Sequence, residues 1–276
     1  VSIAPGEELR GPNGELVTMT IDGVQADIVS GESYEGNIVL TYTDENAQKE
    51  RLNLETMISS RAEGVLVMPV SRENEDMYRI MRSNGIATVQ LFREVYDDVN
   101  LLYVNDELGA YTATKYLLDQ GHRRILITDY DFNVKLPAKI KGYRRACEEY
   151  GLAPEAGIVS LPFDNNLDGI IAGAIASNNA TALISATIPI TLATLKACQK
   201  CNLSIPDDLS IVAYDDSRWL EFLDITAITH PMQQIGDNLA NVLFRNIEAF
   251  QNGTVPTVER HSVKPYLLLR NSVKRL

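Results

Sequence analysis

Chemically versatile side chains are scarce in this sequence. Its 276 residues include three cysteines, three histidines and one tryptophan. Three cysteines make no disulfide framework. Cys198 and Cys201 form a C-x-x-C, but they lie in the helical pattern TLATLKACQKC, without the glycine or proline context of a redox or zinc motif. His122, His230 and His261 are far apart along the chain, which argues against a zinc site. No apolar run reaches the roughly 18 residues that a membrane span needs. The opening VSIAPGEELRG has no basic head followed by an apolar stretch, so no secretory signal is expected and the cytoplasm is the expected compartment. Positive charge is also short: 25 Lys and Arg stand against 37 Asp and Glu, for a net charge of -12. Phosphate contacts supply most non-specific affinity for nucleic acid, so a chain this acidic should not bind DNA by itself. No G-x-G-x-x-G follows a strand, and neither a P-loop nor a G-x-S-x-G elbow occurs. With no nucleophile or acid–base pair standing out, the chain reads as a binding protein needing no cofactor, not as an enzyme.

Short β-branched runs are plentiful. Strands are expected at 37–43 (NIVLTYT), 64–70, 86–92, 124–130, 181–186 and 209–215, with further ones at 1–5 (VSIAP) and 157–163. Their apolar residues are consecutive, as in parallel strands covered on both faces. Between them, helical spacing recurs at about 45–60, 72–84, 106–120, 137–150, 190–201 and 232–250. This alternation predicts an α/β fold with doubly wound parallel sheets. The length suits two lobes, and the absence of a low-complexity linker suggests that the chain crosses between them several times.

Ligands of open α/β sheets bind beyond the carboxyl ends of the strands. Acids recur there: Asp44 after TYT, Asp129 and Asp131 in TDYD, and Asp215 in IVAYDD, while Pro69 ends VMPV; of the TDYD pair, Asp131 is taken as the site candidate. Carboxylates accept paired hydrogen bonds from vicinal hydroxyls, so a sugar or related polyol is the natural guest. For Asp44 the helix-capping reading of TDEN is preferred over a pocket role. Asp216 is read as a structural turn acid, and His122 as a residue that bonds the carbonyls ending a helix.

Several motifs in series carry a family resemblance. VNDELGAYTATKYLLDQGHRRI (104–125), KGYRRACEEYGL (141–152), IPDDLSIVAYDD (205–216), ITAITHPMQQIGDNLANVL (225–243) and LLLRNS (267–272) resemble the effector-binding core of the LacI/GalR family of bacterial transcriptional regulators. That resemblance implies a periplasmic-binding-protein-like fold of type I, with two lobes joined by three crossovers. The expected lobes are 1–104 with 229–261, and 105–228 with 262–276. It also implies a homodimer, a small polar effector between the lobes, and operator DNA bound only through a helix-turn-helix headpiece, which is expected to lie outside this chain. A periplasmic solute-binding protein of the same fold is the alternative.

The resemblance marks further site residues. The family's arginine three positions before Gly-Tyr is Lys139 here, and lysine cannot make the bidentate fork. The family's Asn-Asp after the strand at 181–186 is Thr187-Ile188, and its aspartate before arginine is Phe92. An aromatic is retained as Phe163, which would either stack on a sugar face or pack between lobes. Trp219 would either close the cleft or pack at the surface. These departures imply an eroded hexose site and leave room for a different effector.

Overall fold

The computed structural model describes residues 18–21, 24–27, 39–130, 137–162 and 166–276. The expected strand at 1–5, and the candidates Asp131 and Phe163, lie outside those residues. The chain divides into two compact units, with junctions after Val104, Pro231 and Val263. Unit 1 takes the chain up to Val104 together with Met232–Val263, and unit 2 takes Asn105–Pro231 with Lys264–Leu276. Three junctions mean three passages of the chain between the units. The last two fall at 232 and 264, a few residues beyond the 229 and 262 expected from the motifs.

Unit 1 opens with the antiparallel pair β1 (Thr18–Ile21) and β2 (Val24–Asp27). Its main sheet is parallel in the order β11-β5-β4-β3, built from β3 (Gly64–Val67), β4 (Ala87–Leu91), β5 (Asn100–Val104) and β11 (Arg260–Val263). Val89, Leu91, Leu102 and Val104 pack against Ile235, Leu239 and Val242 of α8 (Met232–Gln251). A second cluster joins Leu54 of α1 (Ala47–Ser59) and Met77, Tyr78 and Met81 of α2 (Glu75–Ser83) to Ile86, Tyr96 and Val99. Burying each such side chain contributes roughly 1.5–3 kcal/mol, the term that holds these layers together.

Unit 2 carries a six-stranded sheet in the order β12-β10-β9-β8-β6-β7. Its strands are β6 (Ile125–Tyr130), β7 (Ile158–Leu161), β8 (Ala182–Ser185), β9 (Ser210–Tyr214), β10 (Thr226–Thr229) and β12 (Tyr266–Leu268). All pair in parallel except β12, which runs antiparallel to β10 at the edge. The consecutive apolar residues of β8 and β9 are divided between two clusters. Leu183, Ile211 and Ala213 belong with α5 (Leu167–Ser177) and α6 (Ile188–Lys200), whereas Ala182, Ile184, Val212 and Tyr214 belong with α3 (Asp106–Asp119) and α4 (Ala138–Glu149). That is the two-sided covering which the uninterrupted apolar runs predicted. After β9 comes the short α7 (Arg218–Phe222), whose Trp219 packs against the first cluster.

Glycine sets one helix contact. A Cβ at Gly142 would stand 2.0 Å from the Glu107 carbonyl oxygen and 2.7 Å from the Tyr111 nitrogen, so α4 meets α3 backbone to backbone. The final residues are sewn to the sheet. The Ile211 amide donates to the Ser272 carbonyl (2.9 Å), and the Ser272 hydroxyl in turn donates to the Ile211 carbonyl (2.6 Å). His122 lies under this tail, fully buried, with Nε2 at 3.1 Å from the Lys274 carbonyl and Nδ1 at 3.0 Å from the Thr181 hydroxyl. At the helix end the His122 amide donates to the Leu117 carbonyl (3.1 Å), and the Arg123 guanidinium donates to that of Leu118. His122 is thus structural, its ring through the tail and its backbone amide through the helix end.

Two other expectations require correction. Residues 39–43 of the expected strand 37–43 are not in a strand, and Val39 (61% exposed) and Tyr42 (60%) face outward. β-propensity reports fit to a half-buried pleated surface, and among the described residues no neighbouring strand supplies one here. The helix after TDEN begins at Ala47, capped by Asn46, whose side-chain oxygen accepts from the Gln48 and Lys49 amides. Asp44 is therefore not the cap. It pairs with Lys49 from a left-handed backbone (φ 50°).

Candidate functional site

The carboxyl ends of β6, β8 and β9 bring the chemically active residues of unit 2 together. Tyr214 ends β9 fully buried, and its hydroxyl donates to the Asp106 carbonyl (3.0 Å). Burial pushes that phenol well above its ordinary range, so it stays protonated. Gly109 makes room for it, since a Cβ there would sit 2.8 Å from the Tyr214 hydroxyl. Over the Tyr214 ring, 4.3 Å from its centre, lies the Lys139 ammonium, which also donates to the Ala186 carbonyl (2.7 Å). Burial alone would lower this lysine, but the carboxylates of Asp106, Asp215 and Asp129 outweigh it and hold the ammonium charged.

Asp215 follows β9 with φ 65°, a backbone that aspartate tolerates better than most residues. Its amide donates to the Ile228 carbonyl (3.0 Å), which fixes the turn. The side chain is 18% exposed, with Oδ1 at 3.6 Å from Nδ1 of His230, too long for a hydrogen bond. Asp216 turns the other way. Its two oxygens accept a guanidinium fork from Arg270 at 2.7 and 2.9 Å, and Arg270 also donates to the Ile225 carbonyl. The two adjacent acids therefore divide their work: Asp216 anchors the tail segment, and Asp215 is left to the strand end.

Asp129 lies near the end of β6, in the same TDYD stretch as the candidate Asp131. It is 5% exposed, and burial raises its carboxyl above the ordinary range while Lys139 opposes the rise. Its one hydrogen bond among the described residues comes from the adjacent Tyr130 amide (2.9 Å). Thr187 heads α6 in extended backbone, and its hydroxyl oxygen is buried without a hydrogen bond among the described residues. The Ser217 hydroxyl, at the head of α7, is in the same condition. Buried polar groups without partners are uncommon, and these two hydroxyls follow the adjacent strands β8 and β9.

The remaining candidates lie on unit 1. Phe92 follows β4 with φ 62°, and the Arg93 amide donates to the Leu91 carbonyl across it (2.7 Å). This is a γ-turn of the rare strained kind, and such strain concentrates at functional sites. Phe92 also packs on the α8 side of the sheet, so part of it is core. Arg93 makes a two-pronged pair with Glu45, both contacts 2.7 Å, which ties the end of β4 to the head of α1. Pro69 is buried in the loop after β3. The buried Glu50 holds that loop by accepting from the Val70 amide (2.6 Å) and the Tyr78 hydroxyl (2.8 Å). Pro69 therefore reads as a loop former. Among the described residues no group of three or more His, Cys, Asp or Glu is arranged to hold a metal ion, and no helix is long and apolar enough to cross a membrane.

Residues 114–273 match a family model described as a periplasmic binding protein-like domain. The chain is 27% identical over 275 residues to the HTH-type transcriptional repressor PurR of Vibrio campbellii, covering 95% of this chain and 81% of that protein. Against the ribose operon repressor of Escherichia coli it is 26% identical over 274 residues, covering 94% and 81%. Among solved structures, the transcription regulator CcpA of Lactococcus lactis superposes with a TM-score of 0.72 at 19% identity, over 86% of this chain and 88% of that one. A LacI family regulator from Enterococcus faecium with bound ribose gives 0.69 at 20% identity, over 82% and 84%. At such identities the structural likeness speaks for the fold.

Proposed function

The chain belongs to the periplasmic binding protein-like domain family and is homologous to LacI-type repressors, and on that premise we propose that it is the effector-sensing core of a bacterial transcriptional regulator. The observation that carries this reading is the strand-end face of unit 2, which carries Asp215, Asp129 and two buried hydroxyl oxygens that have no hydrogen bond among the described residues. A small carbohydrate suits that face, because vicinal hydroxyls can donate to both carboxylates. Repressors among the relatives support a regulator over a transporter's solute-binding protein.

Sensing would work by population shift, the effector favouring one of two conformations. Moving a 1:99 equilibrium to 99:1 requires a preference of about 5.5 kcal/mol. A micromolar effector releases about 8 kcal/mol, so the shift is within reach. Operator DNA would be bound by a helix-turn-helix segment and not by these acidic residues, and a cytoplasmic setting follows from that role. A homodimer is supported by an apolar rim on unit 2. Tyr266 (52% exposed) and Leu269 (58%) lie in and after the edge strand β12, and Phe222, 88% exposed, ends α7.

Thermal unfolding with ribose, xylulose and cellobiose tests the sensing role. A bound sugar at 100 times its Kd should add about 2.7 kcal/mol and raise Tm. Indifference to every sugar and polyol tried would defeat the proposal. Sedimentation of the Phe222→Glu and Leu269→Glu variants tests the dimer, with loss of the dimer expected.

A further inference from the structure

One buried position on α8 is filled against type. Ile235, Leu239, Val242 and Asn246 recur at helical spacing and are all buried, so the fourth is an asparagine where an aliphatic residue is expected. Asn246 is 4% exposed, and its side-chain amide makes no hydrogen bond among the described residues. A buried amide without partners costs stability and is uncommon in folded proteins. Asn246 lines a cavity of about 40 Å³ within unit 1. One water needs roughly 10–15 Å³, so the space admits a small molecule. Thr88 and Asn100 place the cavity where β4 and β5 begin, and Phe250 reaches it from the next turn of α8. Phe92 and Pro69 follow the opposite, carboxyl ends of this sheet's strands, so the cavity is separate from them.

The lining defines what such a molecule must carry. Asn100, 6% exposed, commits its Oδ1 to the Glu259 amide (2.8 Å), while its NH2 has no acceptor among the described residues. The two asparagines therefore offer one accepting oxygen and two NH2 groups. The charged side chains of the wall, Arg82 and Asp98, offset each other, with the Arg82 guanidinium 3.4 Å from both the carbonyl and a carboxylate oxygen of Asp98. Ile86, Val99, Phe250 and Pro256 make the rest of the wall mostly apolar. An asparagine amide sets a donor beside an acceptor in one plane, and the edge that answers it is another planar donor–acceptor pair. Apolar walls with one aromatic ring suit a flat body behind that edge.

We propose that unit 1 carries a second ligand site, in which a small uncharged ring with a carboxamide or lactam edge pairs that edge with Asn246 and lies against Phe250. The site is independent of the effector reading of unit 2. A carboxylate in place of the carboxamide loses the donor that the Asn246 oxygen requires, and it also meets the like charge of Asp98.

Calorimetric titration of the whole chain with nicotinamide, uracil and nicotinate provides the test. Nicotinamide or uracil should bind with a Kd of about 1 mM or tighter. Nicotinate should bind at least about 10-fold more weakly than nicotinamide. Asn246→Leu should abolish the binding and raise the urea midpoint, because an unpaired amide gives way to the aliphatic residue that the stripe calls for. Should that variant fail to fold, Phe250→Leu keeps an apolar wall without the ring, and about 10-fold weaker binding is expected. Binding that survives these substitutions unchanged, or nicotinate that binds as tightly as nicotinamide, overturns the inference. So does a chain that binds neither nicotinamide nor uracil, since water alone then serves Asn246. Each of these results leaves the sensing role of unit 2 standing.

Discussion

Replacing Asp215 or Asp216 by asparagine removes one charge at neighbouring positions, yet opposite phenotypes are expected. Asp216 accepts the Arg270 fork at 2.7 and 2.9 Å, with side chains 20% and 10% exposed. Asparagine keeps one accepting oxygen but turns an amide NH2 toward the guanidinium. Charge-assisted bonds are worth about 1.5–3 kcal/mol, so Asp216→Asn should lose about 2 kcal/mol after allowance for its exposure. At 2–4 °C per kcal/mol, Tm should fall by roughly 4–8 °C. Asp215 makes no such bond among the described residues, and asparagine also tolerates its left-handed backbone of φ 65°. Its stability cost should stay within about 0.5 kcal/mol. Affinity should suffer instead, since a charged acceptor becomes neutral; a loss of about 2 kcal/mol is roughly 30-fold in Kd. Trp219, the single tryptophan, lies close by in sequence and reports unfolding by fluorescence in urea, while calorimetry reports binding. An unstable Asp215→Asn that binds normally, or a stable Asp216→Asn that fails to bind, would refute this division of labour.

Three further outcomes follow from burial and close contact. Gly142→Ala should cost more than about 3 kcal/mol in urea unfolding, because a Cβ 2.0 Å from a backbone oxygen cannot be relieved by rotating a side chain. Burial lowers the His122 imidazole below its ordinary value of 6.5, so the unfolded chain takes up the proton first. Stability should therefore be fully present above that value and decline as the pH falls below it, and His122→Gln should flatten the decline. Asp129 has the opposite sign. Burial raises its carboxyl above the ordinary 3.8, so stability is greatest below that value and is lost as the pH rises through the folded one. Asp129→Asn should be at least as stable as the parent near pH 8 and lack this dependence, as urea midpoints across pH would show.

The parallel strands were legible because two-sided burial demands uninterrupted apolar runs, and β6, β8 and β9 each lie within the expected spans. The helix α5 was not, because LDGIIAGAIAS is apolar all round and offers no amphipathic period; only its buried Leu167, Ile171 and Ile175 betray a face. Asp215 could be picked out as an acid ending an apolar run. The strand-end position of Asp129 was equally legible, but its burial was not, because the groups that desolvate it are assembled only by folding. Lys139 stood out only as a substitution in a motif. Its inward posture depends on Tyr214 and Ala186, which folding alone brings near. The Arg93–Glu45 pair spans 48 positions and leaves no trace in local pattern.

Strand β5 pairs on one side with β11, and the contact between Asn100 and the Glu259 amide joins residues 159 positions apart. During synthesis, the ribosome must deliver nearly all of unit 2 before unit 1 can finish its sheet. Until then the nascent chain exposes an apolar strand, NLLYV, with an open ladder edge, which invites pairing with other chains. Slow translation or weakened pairing between residues 260 and 263 should therefore show first as aggregation, before any defect in ligand response can be measured.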